Sequence, residues 1–303
     1  MEFPKISTTT LLDQLTPPTG KVHMVLDTDT FNEIDDQFAV VQAILSPDSL
    51  DLKAIYAAPF HNKNSDSAGD GMEKSYGEIL RLLERLNVSP EGFVFKGATQ
   101  FLSSWQQPEA SPATDHLIDL ALKIDGVLYV VAVGAITNVA SAILLEPQII
   151  EKIVVIWLGG QPPHHRNSRE FNLGQDILSS QLAFDCGVPL VQIPCQGVAS
   201  HLQTTVAEIE RYVEGQGDIG DYLAQIFKAY HADHFGWSKV IWDISAVAYL
   251  INPSWIETEL VHSPILTDQI TLSFDNNRHF MRLATYVHRD PIFRDLFRKL
   301  DSI

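Results

Sequence analysis

The sequence predicts an α/β protein: an open, mostly parallel central sheet with helices on both faces and antiparallel strands near the C-terminus. Three observations predict it. Continuous β-branched runs such as VLYVVAV (127–133) and IVVIWL (153–158) read as strands buried on both faces. Runs of this kind alternate with helical stretches such as TNVASAILL (137–145), the pattern of a parallel sheet with crossover helices. The 303 residues, 45% of them hydrophobic, contain no linker, repeat or low-complexity segment. A single domain over 1–303, with residues 1–20 as an N-terminal extension, is therefore expected.

The elements follow in order. Residues 1–20 predict a short helix closed by Pro17 and Pro18. VHMVLD (22–27) is a strand, and a helix starting at Asp35 or Asp36 runs through QFAVVQAIL, apolar on nearly every side and so buried. LKAIYAA (52–58) is the next strand, HNKNSDSAGDGM (61–72) a long polar loop, and EKSYGEILRLLERL (73–86) an amphipathic helix. Strands at 127–133, 153–158 and 188–193 then alternate with helices at 137–145 and 176–184. Beyond residue 200 the pattern turns helical, at 204–235 and 242–251. ITLSFD and HFMRLATYV predict two antiparallel strands, and PIFRDLFRKL a last helix.

Charge narrows the function. A formal net charge of −17 excludes a nucleic-acid partner, whose binding is dominated by cationic contacts, and an anionic membrane surface. A small neutral or cationic molecule, or a metal ion, fits better. Only two cysteines, Cys186 and Cys195, are present, so no disulfide framework forms. The start lacks the apolar core of a signal peptide, and no apolar run is long enough to span a bilayer. A cytoplasmic protein is expected.

One stretch stands out chemically. VLDTDTFNEIDD (25–36) holds five carboxylates (Asp27, Asp29, Glu33, Asp35, Asp36), and no Lys or Arg lies between Lys21 and Lys53. Like charges that close repel unless water, backbone N–H groups or a cation compensates them. A helix start would use Asp35 as N-cap and Asp36 against the helix dipole, and Asp243 could cap a later helix in the same way. A hard-cation site uses more of the acids: calcium and magnesium take carboxylate and carbonyl oxygens. In an open α/β sheet, ligands sit at the carboxyl ends of the strands. The HNKN loop (61–64), GAITN (134–138) and GGQPPHHRNSREFN (159–172) lie at equivalent strand ends and should converge with the acidic loop.

Two families resemble this loop. VLDTDT, with GDG at 69–71, is similar to the haloacid-dehalogenase phosphatases, which implies Asp27 as a phosphate-attacking nucleophile. The fuller resemblance is to the inosine-uridine-preferring nucleoside hydrolases. Their DxDPGxDDxxA signature is matched by Asp27, Asp29, Asp35, Asp36 and Ala39, with a loop two residues longer and no Pro-Gly. VGAITNVASAILLEP (133–147), WLGGQ (157–161), REFNLGQD (169–176) and WDISAVAYLINP (242–253) resemble further family segments in the family's order.

The resemblance implies a Rossmann-like nucleoside hydrolase fold and a Ca²⁺ ion held by Asp29, Asp36, Asp243 and the carbonyl of Val133. It implies Asp29 as general base, and Asp35, Glu170 and Asn172 on the ribose hydroxyls, with one Asn of the HNKN loop, Asn62 or Asn64, and Asn167 as further substrate contacts. A small-molecule nucleoside would be the partner, and a homodimer or homotetramer the assembly. The chemistry suits these types: N-glycosidic cleavage passes through an oxocarbenium-like sugar, attacked by a water that a carboxylate deprotonates.

The chain departs from the family at Trp242, where the best-studied members carry a proton-donating His. His61, His231, His234 and the His164–His165 pair are alternative donors, Tyr230 and Trp237 are candidate contacts to the base, and Trp242 is a stacking platform or plain packing. The same departure admits a homologue that binds a nucleoside or ribosyl group without turnover.

Overall fold

The computed structural model describes residues 3–302. Six strands, β1 (Val22–Thr28), β2 (Leu50–Ala57), β3 (Val94–Lys96), β4 (Leu128–Ala132), β5 (Ile153–Leu158) and β6 (Leu190–Ile193), run parallel. Short strands β7 (Gln203–Thr204) and β8 (Lys239–Val240) pair with each other, outside the main sheet. The last four are β9 (Ile256–His262), β10 (Ile265–Leu266), β11 (Leu272–Ser273) and β12 (Phe280–Val287). The main sheet has the order β3-β2-β1-β4-β5-β6-β12-β9, β12 lying parallel to β6 and antiparallel to β9. The chain leaves β1 towards β2 and β3, then returns to β4 on its other side. A crevice opens at that switch point, beyond the carboxyl ends of β1 and β4.

Helices cover both faces. On one side lie α1 (Thr8–Gln14), α2 (Asp36–Ile44) and α3 (Ala68–Arg85); on the other, α4 (Pro112–Lys123), α5 (Thr137–Leu145), α6 (Phe171–Gln175) and α7 (Ile177–Asp185). The chain then crosses back, adding α8 (Val206–Tyr212), α9 (Gly217–Tyr230), α10 (Ile244–Ile251) and α11 (Arg289–Leu300) to the first side. Alternate residues of β1 divide accordingly: Met24 and Leu26 enter one core, Val25 the other. As its all-round apolar pattern predicts, α2 is buried from Asp36 to Ala43. Its Phe38, Val40 and Val41 side chains, taken from water, contribute about 1.5–3 kcal/mol each.

Three parts of the sequence reading are corrected. The antiparallel partner of β12 is β9, whose IETELVH has too many polar residues to read as a core strand; of 270–275 only Leu272–Ser273 is strand, in a separate hairpin with β10. The polar loop 61–72 is half helix, because the Ser67 hydroxyl accepts the Asp70 N–H and starts α3 there. Neither α4 nor β3 appears in the sequence reading, although SPAT at 111–114 spells a capping box with Pro in the first turn. No helix among the described residues is long and apolar enough to cross a membrane.

Candidate active site

At the switch point lies a cavity of about 330 Å³. Five strand ends contribute: Asp29 after β1, Asn62 after β2, Val133 after β4, Leu158 from β5, and Cys195 and Gln196 after β6. Glu170, Phe171 and Asn172 enter from α6, and Trp242 and Asp243 from the turn before α10. A larger groove of about 630 Å³ lies elsewhere, against α8 and α11, where Glu208, Asp290 and Asp301 are outnumbered by four arginines. The smaller cavity holds the chemistry.

The capping explanation for the acids does not hold. Asp35 and Asp243 occupy the positions before α2 and α10, yet neither side chain makes a cap hydrogen bond. Instead oxygens of Asp35, Asp36 and Asp243 lie within 4.8 Å of one another, all three residues buried. Asp29 lines the same cavity, and neither of its buried carboxylate oxygens has a hydrogen-bond partner. Gly134 backs it, and a Cβ there would lie 3.0 Å from the Asp29 carboxyl carbon. An orphaned buried carboxylate costs several kcal/mol unless it is protonated or meets a cation.

Electrostatics point the same way. Burial, then the charges of Asp36, Asp35 and Asp27, push the Asp29 carboxyl well up. Burial and Asp35 raise Asp36 to about 7, against hydrogen bonds from Thr28 and with Asp243. Burial and the neighbouring carboxylates drive Asp243 well up as well. With no ion present, this repulsion favours the protonated forms; a hard divalent cation relieves it with all of them ionised. The oxygen-only donor set fits such an ion.

The remaining predicted contacts divide into three groups. Glu170 and Asn172 line the cavity and are rigidly held. The Glu170 carboxylate accepts the N–H groups of Gly160, Asn172 and Leu173, and the Asn172 amide donates to the carbonyls of Val133 (2.9 Å) and Leu158 (3.0 Å). Asn62 lines the cavity and donates to Asn32; Asn64 supports the same loop from outside, donating to the Asn32 carbonyl. Asn167 lies off the lining, its carboxamide accepting the Arg169 N–H.

None of the histidines suggested as proton donors lines the cavity. His61 is exposed; His231 and His234 cluster with Tyr230 around Trp237, beyond the lining. Trp242 does line it, and its backbone N–H donates to Asp35 (3.2 Å).

The phosphatase alternative fails on geometry. Asp27 is wholly buried outside the cavity, bonded to the Asn138 amide (2.7 Å), and burial raises its carboxyl to about 7. No phosphate could reach it. GDG forms the start of α3.

Asn32, Glu33, Gln161 and Gln196, which line the cavity, and Lys239 behind it have no site role in the sequence reading. The extra length of the first loop was the available signal for Asn32 and Glu33. Nothing local marked Lys239, which reaches Glu33 from more than two hundred residues away.

Comparisons with known proteins identify the chain's relatives. The chain is 27% identical over 175 residues to the pyrimidine-specific ribonucleoside hydrolase RihB of Shigella flexneri, covering 56% of this chain and 54% of that protein. It is 28% identical over 160 residues to RihB of Escherichia coli, covering 51% of each. The matched part thus spans about half the length of these curated relatives. Among solved structures, the purine-preferring ribonucleoside hydrolase from Gardnerella vaginalis superposes with a TM-score of 0.74 at 19% identity, over 92% of this chain and 98% of that one. The inosine-uridine preferring nucleoside hydrolase from Bacillus anthracis does so at 0.71 and 16%, over 94% and 100%. The inosine-uridine preferring nucleoside hydrolase model matches residues 24–288, from the first strand to the edge of the last helix, and the chain belongs to that family.

Proposed function

We propose that this protein hydrolyses the N-glycosidic bond of ribonucleosides, with Ca²⁺ held by Asp29, Asp36, Asp243 and the Val133 carbonyl. The observation that carries the reading is Asp29: a buried carboxylate with no partner, in a cavity whose other acids are crowded together. Bound there, the ion would orient and acidify a water and align the sugar diol.

The chain's own groups do the rest. Asp29 accepts the water's proton as general base. Asp35 and Glu170 are carboxylates, and both donor hydrogens of the Asn172 amide are spent on backbone carbonyls, which leaves its oxygen free. These three therefore present hydrogen-bond acceptors, suited to a sugar's hydroxyl donors and hostile to a phosphate ester. A missing hydroxyl would leave a buried acceptor unpaired, at about 1–3 kcal/mol. The same negative wall favours the positive charge that develops on the ribosyl ring. Trp242, Phe171 and Gln196 also line the cavity, and the base would lie against them.

A panel of purine and pyrimidine nucleosides, with released ribose measured as reducing sugar, tests the proposal with and without chelator. Release that needs Ca²⁺ and is lost in Asp29→Asn is expected. No ribose from any nucleoside would end this reading. Calorimetric binding of nucleoside without turnover would favour the non-catalytic reading that Trp242 admits.

A further inference from the structure

The acidic site contains one buried cation that the family signature does not announce. Lys239, in β8, is nearly inaccessible to solvent. Its ammonium lies 2.5 Å from Glu33 and 3.8 Å from Asp35, and sits 4.9 Å from the centre of the Tyr230 ring. Glu33 belongs to the lengthened part of the first loop, and both Glu33 and Asp35 line the cavity. The same segment is gripped from its other side, where the Asn62 and Asn64 amides donate to Asn32. Asp35 is held at both oxygens: one faces Lys239, and the other accepts the Trp242 N–H.

We propose that Lys239 is a positioning residue: by pairing with Glu33 it ties the lengthened loop to the segment that carries Trp242 and Asp243, and so orients the Asp35 carboxylate towards the sugar. The inference rests on the hydrolase reading and adds to it. A loop two residues longer than the family pattern has more conformations to lose, and a carboxylate on it is useful only when held still. A buried ammonium between two carboxylates holds both ends of the chain at once, because leaving Lys239 or Asp35, both buried, unpaired is costly. An exposed ion pair would be too weak for this.

The test compares Lys239→Met, Lys239→Arg and Glu33→Gln with the parent. Calorimetry reads free ribose and Ca²⁺ binding, and steady-state kinetics on uridine and inosine separates KM from kcat. Lys239→Met is expected to weaken ribose binding and raise KM about tenfold, with a smaller change in kcat and Ca²⁺ affinity within about threefold of the parent. Lys239→Arg, which keeps the charge, should recover most of the loss. Glu33→Gln, at a half-exposed position that tolerates replacement, should move KM and ribose affinity in the same direction, so the inference stays testable if Lys239→Met fails to fold.

Ribose affinity unchanged in Lys239→Met, or in Glu33→Gln where Lys239→Met is unfolded, overturns the inference. So does Lys239→Arg performing no better than Lys239→Met, which would reduce the lysine to packing. A parent that neither binds ribose nor cleaves nucleosides ends the hydrolase reading and this inference with it. A competent parent matched by Lys239→Met ends the inference alone.

Discussion

Asp36 and Asp243, from opposite ends of the chain, bring carboxylate oxygens within 4.8 Å of one another at the mouths of two helices that neither of them caps. Two buried carboxylates so close repel, which favours the protonated form of one of them when no ion is bound. A bound divalent cation would replace that proton, and several measurable consequences follow from the exchange.

Calcium affinity should fall with acid. Asp36 titrates near 7 when no ion is present, so below that pH the ion must displace protons to bind. Calorimetry at pH 6 and pH 8 should show the weaker binding at pH 6. The stability of chelated protein runs the other way: a carboxyl raised from its ordinary 3.8 to about 7 contributes stability at low pH that is lost as pH rises through 7. The thermal midpoint in chelator should therefore drop between pH 5 and pH 8, and calcium should restore it at pH 8. A midpoint indifferent to calcium at pH 8 would remove the ion from this site.

Asp29→Asn should separate activity from stability. Loss of the base predicts a fall in kcat of roughly 10²–10⁴-fold. The same change removes an unpartnered buried carboxylate, so the midpoint in chelator should rise, by roughly 2–4 °C for each kcal/mol gained. A variant that is both inactive and less stable in chelator would show that Asp29 is held by contacts other than the proposed ion.

Trp242→His restores a proton donor at the cavity wall. For nucleosides, whose bases leave poorly without a proton, kcat should rise by roughly 10–100-fold. For a nitrophenyl riboside, whose leaving group needs none, it should change little. An equal effect on both substrates would mean that leaving-group protonation does not limit this enzyme.

Away from the site, His279 gives the fold its own acid sensitivity. Burial, with Arg278 and His262 nearby, lowers its pKa from 6.5 to about 4, and its ring Nε2 has no partner. Between those values the unfolded chain binds a proton that the native state refuses, so stability is present above pH 6.5 and is lost as pH falls towards 4. Urea unfolding at pH 7 and pH 4.5 should show a loss of roughly 1–3 kcal/mol that His279→Leu reduces. An equal loss in the variant would place the acid sensitivity elsewhere.

Much of this was legible along the chain. Alternating β-branched runs and helices set the sheet class, because buried parallel strands must be apolar on both faces. The buried helix α2 followed from its all-round hydrophobicity. The acid-rich loop announced itself because no local lysine or arginine balanced it. Edge strand β9 did not, since an edge strand tolerates polar residues, and β3 was too short for its pattern to register.

The local chain thus set which segments are strand and helix, and that carboxylates gather after β1, since both depend on neighbouring residues. Which carboxylates share one space depended on the crossovers. They bring Asp243 to Asp36, seat Lys239 beside Glu33, bury Asp27 beyond reach, and keep His231 and His234 off the cavity wall. Such meetings are contacts between distant segments, governed by packing and side-chain direction, and no local periodicity encodes them.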